Sequence, residues 1–236
     1  MRKNDYTRGF GRGIPVGVGY FSVSFGFGAM AAAQGIRVLD AALISLTNLT
    51  SAGQFAGLTL IVAGTTLWEL ILTQLVINSR YALMSLALSQ RMGQRIGFRQ
   101  RLAVAFFNTD EIFALAMAET EPLSTSFMLG LGTTPILGWT LGTLTGALAG
   151  SVLPEQIRAA LGVMLYGMFI AIVVPPARKE KQILAVVALA LALSCLFTWV
   201  PGLNGISSGI SIVICTVAAA AVCAWFFPVA DEEVAA

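Results

Sequence analysis

Read for hydrophobic and polar positions, the 236-residue chain divides into eight apolar segments, at about 13–33, 41–63, 67–89, 102–118, 126–150, 157–175, 182–200 and 205–227. Runs of roughly 17 to 25 residues match a hydrocarbon core about 30 Å thick at about 1.5 Å of rise per helical residue. The apolar character runs all round each segment, and the alternation in ten-residue blocks that marks membrane β-strands is missing. The pattern predicts an all-α, polytopic integral membrane protein with about six to eight membrane helical segments, some broken or re-entrant. No linker or low-complexity stretch separates the segments, so residues 1–236 read as one transmembrane domain with a basic tail at 1–12 and an acidic tail at 228–236.

Three segments carry polar residues that the bilayer penalises. The fourth, AVAFFNTDEIFALAMA, places Asn108, Thr109, Asp110 and Glu111 at its centre. An ionised Asp at a helix centre costs about 2.5 to 3.5 kcal/mol on insertion scales, so two adjacent acids must face protein or water, or carry protons. Neighbouring helical positions are about 100° apart, so the two acids need not face one cavity. Either they form a functional centre, or the four residues mark a loop between two short helices in a wet region. The third segment carries Arg80, with Asn78 two residues before it and Ser79, Tyr81 and Ser85 nearby. Arg80 either snorkels to an interface or pairs with a buried carboxylate. The second contains SLTNLTSAGQFAG, where Asn48, Ser51 and Gln54 recur every third residue and so predict one helical stripe, serving either helix packing or a ligand.

Loop charge then tests how many segments cross. Short cytoplasmic loops collect Lys and Arg, and the chain has three basic clusters: Arg2 to Arg12; Arg91, Arg95, Arg99 and Arg101; and Arg178, Lys179 and Lys181. Three segments separate the first cluster from the second, and three the second from the third, so eight plain crossings would leave the middle cluster outside. The charges therefore favour one non-spanning or broken segment in each interval. Segment four, the shortest, is the candidate for the second interval. For the first we expect segment one, because Gly9, Gly11, Gly13, Gly17, Gly19, Gly26 and Gly28 disfavour a continuous helix. Two interrupted segments in opposite halves are a common way to build a transporter's binding site.

Composition supports the membrane reading, with 57% hydrophobic and 11% charged residues and a mean hydropathy of +0.82. A net charge of +2, with the basic residues beside membrane segments, gives no footprint for nucleic acid. The absence of His excludes imidazole metal sites and His proton relays, and Cys195, Cys215 and Cys223 lack CxxC spacing and read as packing residues. The basic start followed by an apolar run ending in AMAAAQG resembles a signal peptide, but its length and glycine content favour a membrane segment. In the fifth segment Gly138, Gly142, Gly146 and Gly150 recur every fourth residue, producing a groove for close packing of another helix, internal or from a partner. No HExxH, GxxxxGK[ST] or paired CxxC motif occurs, so nothing calls for an enzyme or a cofactor.

At these same residues the sequence resembles the AzlC family, the large subunits of two-component branched-chain amino-acid exporters. The Gly-rich first segment, SAGQFAG (Ser51 to Gly57), VINSRYALMSLAL (Val76 to Leu88) and TDEIFALA (Thr109 to Ala116) carry the likeness in the family's order. The resemblance implies proton-driven export of hydrophobic amino acids such as valine, leucine and isoleucine across the inner membrane, with a small AzlD-like membrane subunit. A zwitterion needs a partner for each charge and an apolar pocket. Arg80 or the amides of a broken helix end are candidates for its carboxylate, and Asp110 or Glu111 for its ammonium or for the coupled proton. A non-transporting scaffold or a channel subunit is the alternative reading.

Overall fold

The structure, a computed structural model, describes residues 3–92, 96–150 and 173–227, with single positions at 154, 156 and 170. These residues form α-helices and connecting turns, with no strand among them: α1 (Lys3–Ala33), α2 (Val38–Thr47), α3 (Ser51–Val62), α4 (Leu67–Met92), α5 (Phe98–Phe106), α6 (Asp110–Met117), α7 (Thr125–Gly150), α8 (Lys181–Trp199) and α9 (Ser208–Phe226). Among the described residues α1, α4, α8 and α9 are long and apolar enough to cross a membrane, and α7 has 26 residues. Most of the predicted segment at 157–175, Arg95 and the acidic tail at 228–236 lie outside the described residues. The chain forms two compact units, residues 1–55 with 78–165, and residues 56–77 with 166–236.

In the first unit α1 and α7 make the most extensive helix pair. They run parallel, because Gly9 lies against Phe127 and Leu131, Gly17 against Thr134, Phe25 against Gly146 and Ala29 against Gly150. A Cβ on Gly17 would stand 2.6 Å from the Thr134 carbonyl oxygen, and one on Gly150 2.9 Å from Ala29 Cα. Apolar side chains gain nothing by leaving lipid, so close backbone packing of this kind is what holds membrane helices together. The glycine groove of α7 is therefore filled from within the chain, by α1. The expectation that segment one is broken fails for the same reason. Its glycines serve contact rather than flexibility, and α1 is continuous from Lys3, so the described part of the predicted basic tail is its first turns.

The break in the first interval falls in segment two. From the Gly150 end of α7, α2 runs inward: Ser45 Oγ lies 2.6 Å from Thr143 Oγ1, and Leu49 packs on Tyr20 and Trp139. After Asn48, Leu49 and Thr50 the chain reverses, since the Phe55 ring meets Phe27 at 5.2 Å, back toward the end where α2 began. Segment four is broken as expected, and from the opposite end. The turn of chain at Phe107, Asn108 and Thr109 packs Phe107 on the same Tyr20 and Trp139 cluster. Helix α6 then returns, burying Ile112 and Ala116 against Leu88, Phe127, Met128 and Leu131. Each pair, α2 with the first turns of α3 and α5 with α6, is thus a re-entrant hairpin, and the two tips share one apolar cluster.

The re-entrant first hairpin brings two basic clusters to one end of this unit. Glu119, 7% exposed, lies 3.5 Å from Arg8 Nη1 and 3.8 Å from Arg12 Nη2, while Arg91 Nη2 donates to its backbone carbonyl at 2.6 Å. One non-crossing segment between the first two clusters is what the loop charges required.

In the second unit α8 and α9 pack together. No residue of α8 is buried, and a helix apolar all round with no buried face is suited to lipid. Buried Glu69 accepts a hydrogen bond from the Gly209 amide in the first turn of α9 at 2.9 Å, where the positive end of the helix dipole favours a carboxylate.

Candidate functional site

The second hairpin explains why two acids sit in an apolar segment. Thr109 is the N-cap of α6, its Oγ1 accepting from the Ile112 amide at 3.5 Å, and Asp110 and Glu111 fill the first turn. Acids at that position are stabilised by the helix dipole, by about 0.3 to 1 kcal/mol each. That offsets only part of the membrane penalty, and side-chain partners supply the rest.

The partners differ. Asp110 Oδ2 lies 2.9 Å from Arg80 Nη1, and both side chains are 46% exposed. Arg80 also lies over the Tyr81 ring, 5.0 Å from its centroid, and one of its Nη atoms is 3.3 Å from the Tyr81 hydroxyl. Glu111 turns the other way. Its Oε2 accepts a hydrogen bond from Tyr20 Oη on α1, and Tyr20 Oη is also 2.8 Å from Thr109 Oγ1. Tyr20 is held by an edge-on contact with Trp139 at 5.1 Å. Asn108 is buried, its Nδ2 donating to Ser85 Oγ at 2.9 Å and its Oδ1 without a hydrogen-bond partner. Arg80, Asn108, Thr109, Asp110 and Glu111 therefore converge on one hairpin tip, and Asn78 lies half-buried two residues earlier on α4.

The second-segment candidates divide. Asn48 lies in the break, not on a helix, and its Oδ1 accepts from the Thr50 amide at 3.3 Å. Ser51 opens α3. The expected stripe through Asn48, Ser51 and Gln54 is thus interrupted, because the local side chain-to-backbone bond favours a turn over a helix. Gln54, 1% exposed, is spent inside the protein. Its Oε1 accepts from Trp139 Nε1 at 2.8 Å, its Nε2 donates to Ser45 Oγ at 2.5 Å, and Ser45 in turn meets Thr143.

Sequence reasoning missed Tyr20, Trp139, Ser45 and Thr143. Tyr20 is the one phenol in the inner part of a Gly-rich segment, with Ser24 one turn on; that polar pair is the signal that was available.

A helical membrane protein whose opposed hairpins meet on one apolar cluster, the second of them carrying an ion pair and a hydrogen-bonded carboxylate, is the class of protein described here. The chain belongs to the AzlC family: the AzlC protein family model matches residues 15–153, which take in both hairpins and the site. The inner membrane protein YgaZ of Escherichia coli strain K12 is 30% identical over 188 residues, covering 77% of each chain. An uncharacterized membrane protein of Helicobacter pylori strain J99 is 26% identical over 200 residues, 82% of this chain and 87% of its own. No solved structure matches the chain.

Proposed function

We propose that the protein is a secondary transporter that exports branched-chain or similar hydrophobic amino acids across the inner membrane, coupled to protons, as the large subunit beside a small AzlD-like membrane subunit. The observation that carries this reading is the half-exposed Arg80–Asp110 pair at the meeting point of hairpins entering from opposite ends. Interrupted helices of this kind are where secondary transporters bind substrate. A zwitterion can replace each member of the pair as counter-ion to the other, its carboxylate on Arg80 and its ammonium on Asp110, so binding leaves no charge unpaired. Phe107 at the second tip, only partly buried, offers apolar contact for an aliphatic side chain. The family resemblance supports the substrate class and the second subunit.

The test is leucine counterflow into proteoliposomes holding the full chain, with and without the co-expressed small subunit, alongside thermal stabilisation by each amino acid. Leucine, valine or isoleucine is expected to raise the unfolding temperature and to exchange, and Arg80→Ala to abolish both. A chain that purifies in a large complex and responds to none of these amino acids, with or without the small subunit, overturns the transport reading in favour of a scaffold.

A further inference from the structure

We infer that the two adjacent acids divide the work: Glu111, held by Tyr20, carries the coupling proton, while Asp110 with Arg80 receives the amino acid. This rests on the transport reading above and assigns roles within that site.

Charge balance carries the first step. Arg80, Asp110 and Glu111 are one fixed cation and two acids, with Asp110 on the cation. A proton on Asp110 would leave the permanent charge of Arg80 without its counter-ion inside the membrane, where an unpaired cation is costly. A proton on Glu111 strands nothing, because its partner is a neutral phenol. The other charged or titratable groups near Glu111 are Tyr20 from α1, Arg80 and Tyr81 from α4, and Asp110 beside it; α7 has none in its sequence.

Hydrogen-bond chemistry carries the second step. Tyr20 Oη lies between Glu111 Oε2 and Thr109 Oγ1. A hydroxyl has one proton to donate and lone pairs to accept with. With Glu111 ionised, Tyr20 donates to it and accepts from Thr109. With Glu111 protonated, Glu111 donates to Tyr20 and Tyr20 donates to Thr109. Tyr20 keeps a hydrogen bond to both neighbours in either state without a change of position, with only the Thr109 hydroxyl proton turning away from it, and each proton stays on an oxygen. Tyr20 is then a positioning residue for the proton site, tying the α6 hairpin tip to the α1–α7 pair.

Leucine binding to the purified full chain, measured by titration between pH 5 and pH 9, tests this division. The wild-type affinity is expected to change with pH. In Glu111→Gln that dependence flattens, and in Glu111→Asp or Tyr20→Phe its midpoint moves, a change that a purely structural Tyr20 would not produce. Asp110→Asn is expected to weaken binding about 10- to 100-fold at every pH, as loss of a charge-assisted contact does. Persistence of the wild-type pH dependence in Glu111→Gln, or its disappearance in Asp110→Asn with affinity intact, overturns the division while leaving transport standing. If wild type binds no hydrophobic amino acid at any pH, the transport reading itself fails.

Discussion

Gln54 is the site candidate for which the structure makes the sharpest demand, and Gln54→Leu tests it. The residue is 1% exposed, as is Trp139, and Ser45 and Thr143 are fully buried. Leucine keeps most of the side-chain volume but removes the acceptor of Trp139 Nε1 and the donor to Ser45. Ser45 and Thr143 still satisfy each other, so the main loss is one orphaned indole N–H, about 1 to 3 kcal/mol when buried. Interhelical hydrogen bonds in membranes average about 0.6 kcal/mol and reach about 1.7, which favours the lower part of that range. At roughly 2 to 4 °C per kcal/mol for a chain of this size, the unfolding temperature in detergent should fall by about 2 to 7 °C. Adding Trp139→Phe to Gln54→Leu should cost less than the sum of the single changes, because the orphan is then gone. The rise in unfolding temperature caused by leucine should survive in Gln54→Leu. A variant with wild-type stability and no response to leucine would show that the amide faces ligand and that the buried chain from Trp139 to Thr143 is wrongly read.

Three further outcomes follow from the packing. Gly142→Ala places a Cβ against Ser24 and the Phe21 backbone and should destabilise by about 1 to 3 kcal/mol, whereas Gly11→Ala meets nothing within 4 Å and should stabilise by up to about 1 kcal/mol through helix propensity; thermal unfolding of the pair checks both signs. Glu119→Gln removes a carboxylate that is 7% exposed, but Arg8 and Arg12 are 30% and 56% exposed, so its cost, read by the same assay, should be about 1 to 2 kcal/mol, below that of a fully buried pair. In a background lacking Cys195, Cys215 and Cys223, cysteines at Phe10 and Gln100 should be labelled from one side of the membrane and a cysteine at Gln34 from the other; labelling of Phe10 and Gln100 from opposite sides would refute the re-entrant first hairpin.

The sequence was most informative where two independent constraints met. Segment four was short, polar at its middle and in the interval where loop charge demanded a non-crossing element, and the structure breaks it at Phe107 to Thr109. Charge counting also required a break in the first interval, and that held. Assigning the break to segment one failed because glycine has two meanings in a membrane helix, flexibility and small size, and composition does not separate them. Spacing does: Gly9, Gly13 and Gly17 recur every fourth residue, as do Gly138, Gly142, Gly146 and Gly150. Matched periods on two helices more than a hundred residues apart describe two surfaces that fit, whereas the true break at Asn48 carries the signal of a turn, an Asn whose side chain bonds the amide two residues on.

The same distinction applies to the polar residues. In lipid, a polar side chain needs a partner whatever its purpose, so polarity alone marked Gln54 and Asp110 alike. What separates them is the state of the partner. Gln54 has spent both amide atoms on buried side chains, while Asp110 and Arg80 hold each other in a half-exposed pair. Glu111 is the intermediate case, anchored by one neutral hydroxyl and able to gain a proton without losing that anchor. These differences depend on residues contributed from α1, α4 and α7 to a tip formed by α5 and α6. They arise only once the chain is folded, which is why adjacent acids that look equivalent in NTDE are not equivalent in the protein.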